Sequence, residues 1–235
     1  VEELRRACEP SLQALLEEEK TRQLRLPLEE ATAQREAEDR FAWVLKQAGM
    51  AQAPEAIKDS MRQAVQLLDY AGRAGMTDFS HAFQPLLKPL DDYAIRILES
   101  RLRLRIPTDS GQSRDYFAPY LDNLAPRDRV PIEKNQRYLR DNLVFGRSIQ
   151  KLGTLLFCLD YAQSGGKGAG GVWRDVEQVF SGPEMQNLFN ELKQVNAFRN
   201  TRVAHVESKL DNPEEAWGAL VTWFRCLNQL SSMAV

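Results

Sequence analysis

Histidine is almost missing from this chain, with only His81 and His205 among 235 residues, so acid–base chemistry by an imidazole has two candidates and no more. Cysteine is scarce too. Cys8, Cys158 and Cys226 lie far apart, form no CxxC or CxxH spacing, and the last two sit in apolar helical patterns. That distribution argues for reduced, buried thiols in a cytosolic protein and against a disulfide framework. No cluster of His, Cys, Asp and Glu has metal-ligand spacing, no zinc ribbon or RNA-recognition signature occurs, and no cofactor or metal is expected. No apolar run approaches the roughly 20 residues that cross a bilayer, and the start carries no signal-peptide pattern, so no membrane association and a cytoplasmic location are expected. A net charge of −2 excludes a protein coated in phosphate contacts, and any nucleic-acid contact must be local.

Runs of alternating apolar and polar residues long enough for a sheet are also lacking, whereas the helical period recurs almost everywhere. The fold expected is all-α, a helical bundle preceded by an additional helical segment. Pro27 separates two Leu- and Glu-rich helices, the second over about Leu28 to Ala48 with Phe41, Val44 and Leu45. A third helix follows Pro54, with Ile57, Met61, Val65 and Leu68 on one side, and Gly72 and Gly75 close it. The domain boundary is placed there: residues 1–75 form an arm or linker, and residues 76–235 form the domain.

From Asp78 the elements lengthen. The first carries Leu90, Ala94, Ile97 and Leu98 and frays at Arg101–Ile106 before Pro107. Residues 108–131 read as a partly helical connection rich in proline and aromatics. A long helix is expected after Pro131, with Phe145, Ile149, Leu152, Leu156 and Leu159 in the core. The run Ser164-Gly165-Gly166-Lys167-Gly168 lacks the Lys-Ser/Thr pair and the preceding strand of a phosphate-binding loop, and is a connection between helices. A short helix over Val172–Phe180 and a longer one from Pro183 to about Ala204 follow. The last helix starts at Pro213 behind an Asn212 N-cap, with Glu215 three residues on.

Within the Pro183 helix, Leu188, Leu192 and Val195 define an apolar face, and Arg199 lands in the middle of it. A guanidinium there must be paired, sit at an interface, or face a pocket that takes an anion. The stretch runs on as Arg199-Asn200-Thr201-Arg202-Val203-Ala204-His205. This Arg-Asn-x(4)-His pattern, with an amphipathic helix on each side, resembles the signature of the HEPN superfamily, an arginine and a histidine with four to six residues between them, the first of these polar. The resemblance covers about Asp78 to Val235. It implies a helical bundle and a metal-independent endoribonuclease of the kind found in phage-defence, CRISPR-associated and toxin systems, although other members of that superfamily keep the fold and only bind.

On that resemblance His205 and Arg199 are the catalytic residues and Asn200 supports them. His205 would move a proton at the 2′-hydroxyl or the leaving oxygen, and Arg199 would meet the charge building on phosphorus. Arg202 and Lys209 would contact RNA and, by crowding the imidazole with positive charge, keep it neutral. On an ideal helix Arg199 and His205 stand about 120° and about 9 Å apart, so the helix should bend or end near His205. Alternatively, two copies of the motif share one cleft, and a homodimer or a pseudo-dimer is the partnership expected. A sensor domain or partner protein upstream of Val1 is a further expectation. Control by adenylylation of a tyrosine two places after the histidine is not expected, because Glu207 stands there.

Each residue also has a plainer reading. Arg199 could be an ion-pair partner, His205 a helix-end cap, Asn200 a solvated amide and His81 a surface or capping residue. Together these amount to a non-catalytic helical protein-interaction or RNA-binding module.

Overall fold

The computed structural model describes residues 32–118, 124–147, 150–166, 168–203 and 209–234. Among them there is no strand, and the all-α architecture expected from the helical period is what the chain adopts. The order is α1 (residues 32–47), α2 (Lys58–Arg73), α3 (Gln84–Leu102), α4 (Ser110–Tyr116), α5 (Pro126–Leu143), α6 (Lys151–Gln163), α7 (Val172–Phe180), α8 (Pro183–Phe198) and α9 (Pro213–Met233).

The centre of the bundle is α3. It packs against α2, α5, α6, α7 and α9, because Leu86, Leu90, Ala94, Ile97, Leu98 and Leu102 are all fully buried at helical spacing. Burying each leucine or isoleucine side chain contributes about 1.5–3 kcal/mol. Behind it, α6 packs on α7 and α8, and α8 packs on α9.

Chain punctuation sets most of the boundaries. Gly75, at φ 63°, closes α2 with hydrogen bonds from Met76 N–H to the Ala71 carbonyl (2.9 Å) and from Gly75 N–H to the Gly72 carbonyl (3.2 Å). These are the two bonds of a Schellman cap. The Asn212 side chain accepts from the N–H groups of Glu214 (2.8 Å) and Glu215 (3.3 Å), capping α9 where expected. Asn212→Ala is therefore expected to cost about 1 kcal/mol, read as a lower urea midpoint at unchanged slope. An unchanged midpoint would mean that Pro213 alone sets the start of α9.

Three expectations differ from the structure. The helix placed after Pro131 is two helices. α5 starts at Pro126 and takes Pro131 into its body, α6 starts only at Lys151, and Gly146 lies between them at φ 63°. Phe145, assigned to the core, is 56% exposed, and the buried face of α6 is Leu152, Leu155, Cys158 and Leu159. Ile149 falls outside the described residues.

The third difference is the division of the chain. It separates into the compact units Val1–Trp43 and Val44–Val235, not at Gly75. The helix Lys58–Arg73 belongs to the larger unit: Met61, Ala64 and Val65 are fully buried there, and the helix packs on α3 and α9. The frayed end expected at Arg101–Ile106 is a 3-10 turn over Arg103–Arg105.

Candidate functional site

α8 delivers the motif. Met185, Leu188, Leu192 and Val195 bury one face of it, and its last residue, Phe198, lies against Phe83 (ring centroids 5.0 Å apart) and Trp223 (6.5 Å). Phe83 and Trp223 are themselves 5.3 Å apart, so three aromatic rings from three elements hold the end of α8. Directly after Phe198 the backbone widens into a π-helical turn over Arg199–Val203. Such turns occur mostly as single insertions in α-helices, and often at functional sites. The Thr201 hydroxyl donates to the Ala197 carbonyl at 2.9 Å and reaches the Phe198 carbonyl at 3.5 Å, occupying acceptors that the widened ladder leaves open.

The motif helix, expected to run to about Ala204, ends as an α-helix at Phe198, and the bend or end expected near His205 falls outside the described residues. Arg199 is half-buried, and among the described residues its guanidinium has neither an ion pair nor a hydrogen-bond acceptor. Asn200 is exposed. Arg202 is engaged: it donates to the Lys209 carbonyl at 3.3 Å and pairs with Glu215 at 3.4 Å, tying the chain after the motif to the first turn of α9. Lys209 is exposed. His205 and Glu207 lie outside the described residues.

Sequence spacing gave no hint of one neighbour. A 3-10 turn over Ser80–Phe83 packs against the π turn, and the Phe79 N–H donates to the Leu210 carbonyl at 2.8 Å. His81 is therefore in the same neighbourhood as Arg199, half-buried in that turn. Asp78 caps the turn by accepting from Ser80 N–H at 2.9 Å. Partial burial pushes the Asp78 carboxyl up. Hydrogen bonds from the Ser80 backbone and side chain and the Leu210 backbone, together with the charge on His81, outweigh that and hold it below the ordinary carboxylate range.

Because the folded-state value is the lower one, ionised Asp78 adds stability at neutral pH that is lost as pH falls through the carboxylate range. Asp78→Asn should lower the melting temperature at neutral pH, with the gap to the parent closing as pH drops from about 5 toward 3. A gap independent of pH would assign the effect to shape and not to charge.

The two described cysteines are disarmed. Burial pushes the thiols of Cys158 and Cys226 up, so neither offers a thiolate, in keeping with the buried, reduced cysteines expected; Cys8 lies outside the described residues. Among the described residues no three His, Cys, Asp or Glu side chains converge as an ion site. The glycine-rich run follows helix α6, not a strand. No described helix is long and apolar enough to cross a membrane.

Fold and site together define an all-α bundle with, at a π turn, a half-buried arginine that is unpaired among the described residues. No family model, curated protein or solved structure matches the chain.

Proposed function

We propose that the chain is a HEPN-type, metal-independent endoribonuclease acting in a phage-defence, CRISPR-associated or toxin setting in the cytoplasm. The observation that carries this reading is Arg199: a half-buried guanidinium with no acceptor among the described residues, at a π turn, within the Arg-Asn-x(4)-His pattern. An unpaired guanidinium at such a place is ready for a phosphate, which it can grip with two parallel N–H donors.

In the reaction, His205 takes the proton of a 2′-hydroxyl as that oxygen attacks phosphorus. The bond from phosphorus to the 5′-oxygen breaks, the 5′-oxygen leaves with the proton that His205 took up, and the products are a 2′,3′-cyclic phosphate and a 5′-hydroxyl end. Arg199 binds the non-bridging oxygens as their charge grows. Asn200 supports the pair, and exposed Lys209 approaches the strand. Arg202, already paired with Glu215, contributes first to the shape of the segment. Two copies of the motif meet in a homodimer, or one copy meets a partner domain, to form a single cleft.

The test is cleavage of single-stranded RNA by the purified chain in excess EDTA. Undiminished cleavage that disappears in His205→Ala is the expected result. Cleavage stopped by the chelator, or surviving His205→Ala, would overturn the mechanism.

A second reading, that the surface only binds, draws on a cavity of about 180 Å³ beside the motif, lined by Val195, Phe198, Ala219 and Trp223 among others. An inactive protein that still retains RNA on a filter, or forms the dimer, would favour it.

A further inference from the structure

α3 links two different regions. At its start, Phe83 joins the ring cluster behind Arg199, and at its end the chain turns through Arg103–Arg105. Its 19 residues place these regions about 28 Å apart. At the far end a cavity of about 880 Å³ opens between that turn, α4 and the end of α5. A second cavity of about 470 Å³ adjoins it, and Phe117 and Arg140 line both.

The larger cavity is lined by Arg103, Arg114 and Arg140 and, among the described residues, by no carboxylate. The smaller adds Lys134 and Arg137 against, among the described residues, the single acid Glu133. The acids nearest the guanidiniums are loosely placed, Glu99 at 3.8 Å from Arg103 and Asp141 at 3.7 Å from Arg140. The Arg103–Glu99 pair is exposed and holds its partners weakly, and Arg140 keeps its exposed guanidinium at that longer reach from Asp141, whose carboxylate is buried. Over residues 101–147 ten Lys and Arg face six Asp and Glu, in a chain whose net charge is −2.

The aromatic component is equally specific. Phe145 is 56% exposed, with the guanidiniums of Arg140 and Arg147 over its ring at 5.8 and 5.3 Å. Phe117 is buried as a fixed wall, its carbonyl accepting from the Gln136 side chain. A row of cations next to an accessible ring suits a ligand that repeats phosphate and planar base. In a duplex the bases are stacked inside and cannot reach Phe145, so the fit is to a single strand.

We propose that these joined cavities form a track for single-stranded nucleic acid, with the phosphodiester backbone on Arg103, Arg114 and Arg140 and a base on Phe145. The track lies at the opposite end of α3 from Arg199, so binding there does not depend on the cleavage reading.

The experiment is fluorescence polarisation of labelled oligo-uridylate of about 12 nucleotides, a strand length within the range such sites occupy. The full chain carries Arg199→Ala to keep the strand intact, and inorganic polyphosphate serves as a probe of charge alone. Binding should weaken about tenfold or more in Arg140→Glu and in Arg103→Glu, and the slope of log affinity against log salt should fall by about 0.7 for each phosphate that is no longer neutralised. Phe145→Ala should weaken the oligonucleotide and leave polyphosphate unchanged. All three side chains are substantially exposed, and circular dichroism of each variant checks that its helices are kept. Equal binding of RNA and DNA strands supports the proposal, since the backbone and the bases are what the track reads. It is overturned if the strand does not bind at about 100 µM, if either charge reversal is silent, if a duplex binds as well as a strand, or if Phe145→Ala leaves strand binding unaltered.

Discussion

RNA cleavage by Arg199→Ala is expected to fall by about two to four orders of magnitude, while the melting temperature hardly moves. The two halves of that expectation share one cause. Among the described residues the guanidinium makes no ion pair or hydrogen bond, so its removal orphans no described group and costs little stability. Its contribution is reserved for the reacting phosphate, where developing charge meets a fixed two-pronged donor and where losing one such group costs several kcal/mol, about 3–5. Arg199→Lys separates charge from geometry: the ammonium keeps the positive charge and loses the fork, so activity should recover only in part. A steady-state assay under saturating RNA, with calorimetry on the same samples, decides the matter. An Arg199→Ala protein that cleaves normally would remove the foundation of the proposed function. One that melts far lower would show that the residue belongs to the core.

Trp173→Ala should be the most destabilising single change in the bundle, at about 3–5 kcal/mol for the ring alone. Trp173 is fully buried at the start of α7 and packs against Phe157 at 5.5 Å and Tyr161 at 4.8 Å, both on α6. Its indole N–H donates to the Gln136 side-chain oxygen at 2.7 Å, and Gln136 in turn donates to the Phe117 carbonyl. One side chain therefore joins α7, α6, α5 and the end of α4. Truncation leaves a cavity and also strands a buried amide oxygen, which adds about 1–3 kcal/mol. Trp173→Phe keeps most of the volume and loses only the donor, so its cost should be the smaller part. Urea unfolding of both variants measures the split. A loss below about 1 kcal/mol for Trp173→Ala would mean that the junction collapses onto itself without strain.

Helix ends written in Pro, Gly and Asn were readable from the chain. Gly75 closes α2, Pro183 opens α8, and Asn212 with Pro213 opens α9, because each residue has one backbone or capping role that hardly depends on its surroundings. The apolar face of α8 was readable for the same local reason. Gly146 was missed because apolar residues at spacings of three and four run across it from Phe145 to Leu152, and periodicity cannot see a glycine at positive φ. The boundary at residue 75 failed differently. A well-capped helix end resembles a domain end, and only the packing of Met61 and Val65 inside the bundle distinguishes them. In the candidate site Arg199 was identifiable from its place on an apolar face. The turn at Ser80–Phe83 was not, since its meeting with Arg199–Val203 is made by helix packing between segments more than a hundred residues apart in sequence.

The ring cluster behind the motif also makes the protein its own optical instrument. Trp223 is buried against Phe83 and Phe198, and among the described residues its indole N–H has no acceptor, so its emission should be blue-shifted and sensitive to small changes in the local field. Phe198 is covalently adjacent to Arg199, which couples that emission to whatever the guanidinium holds. A phosphate arriving at Arg199 would thus announce itself in the Trp223 share of the emission, read without any label as the difference from a Trp223→Phe variant, since Trp43, Trp173 and Trp217 also emit.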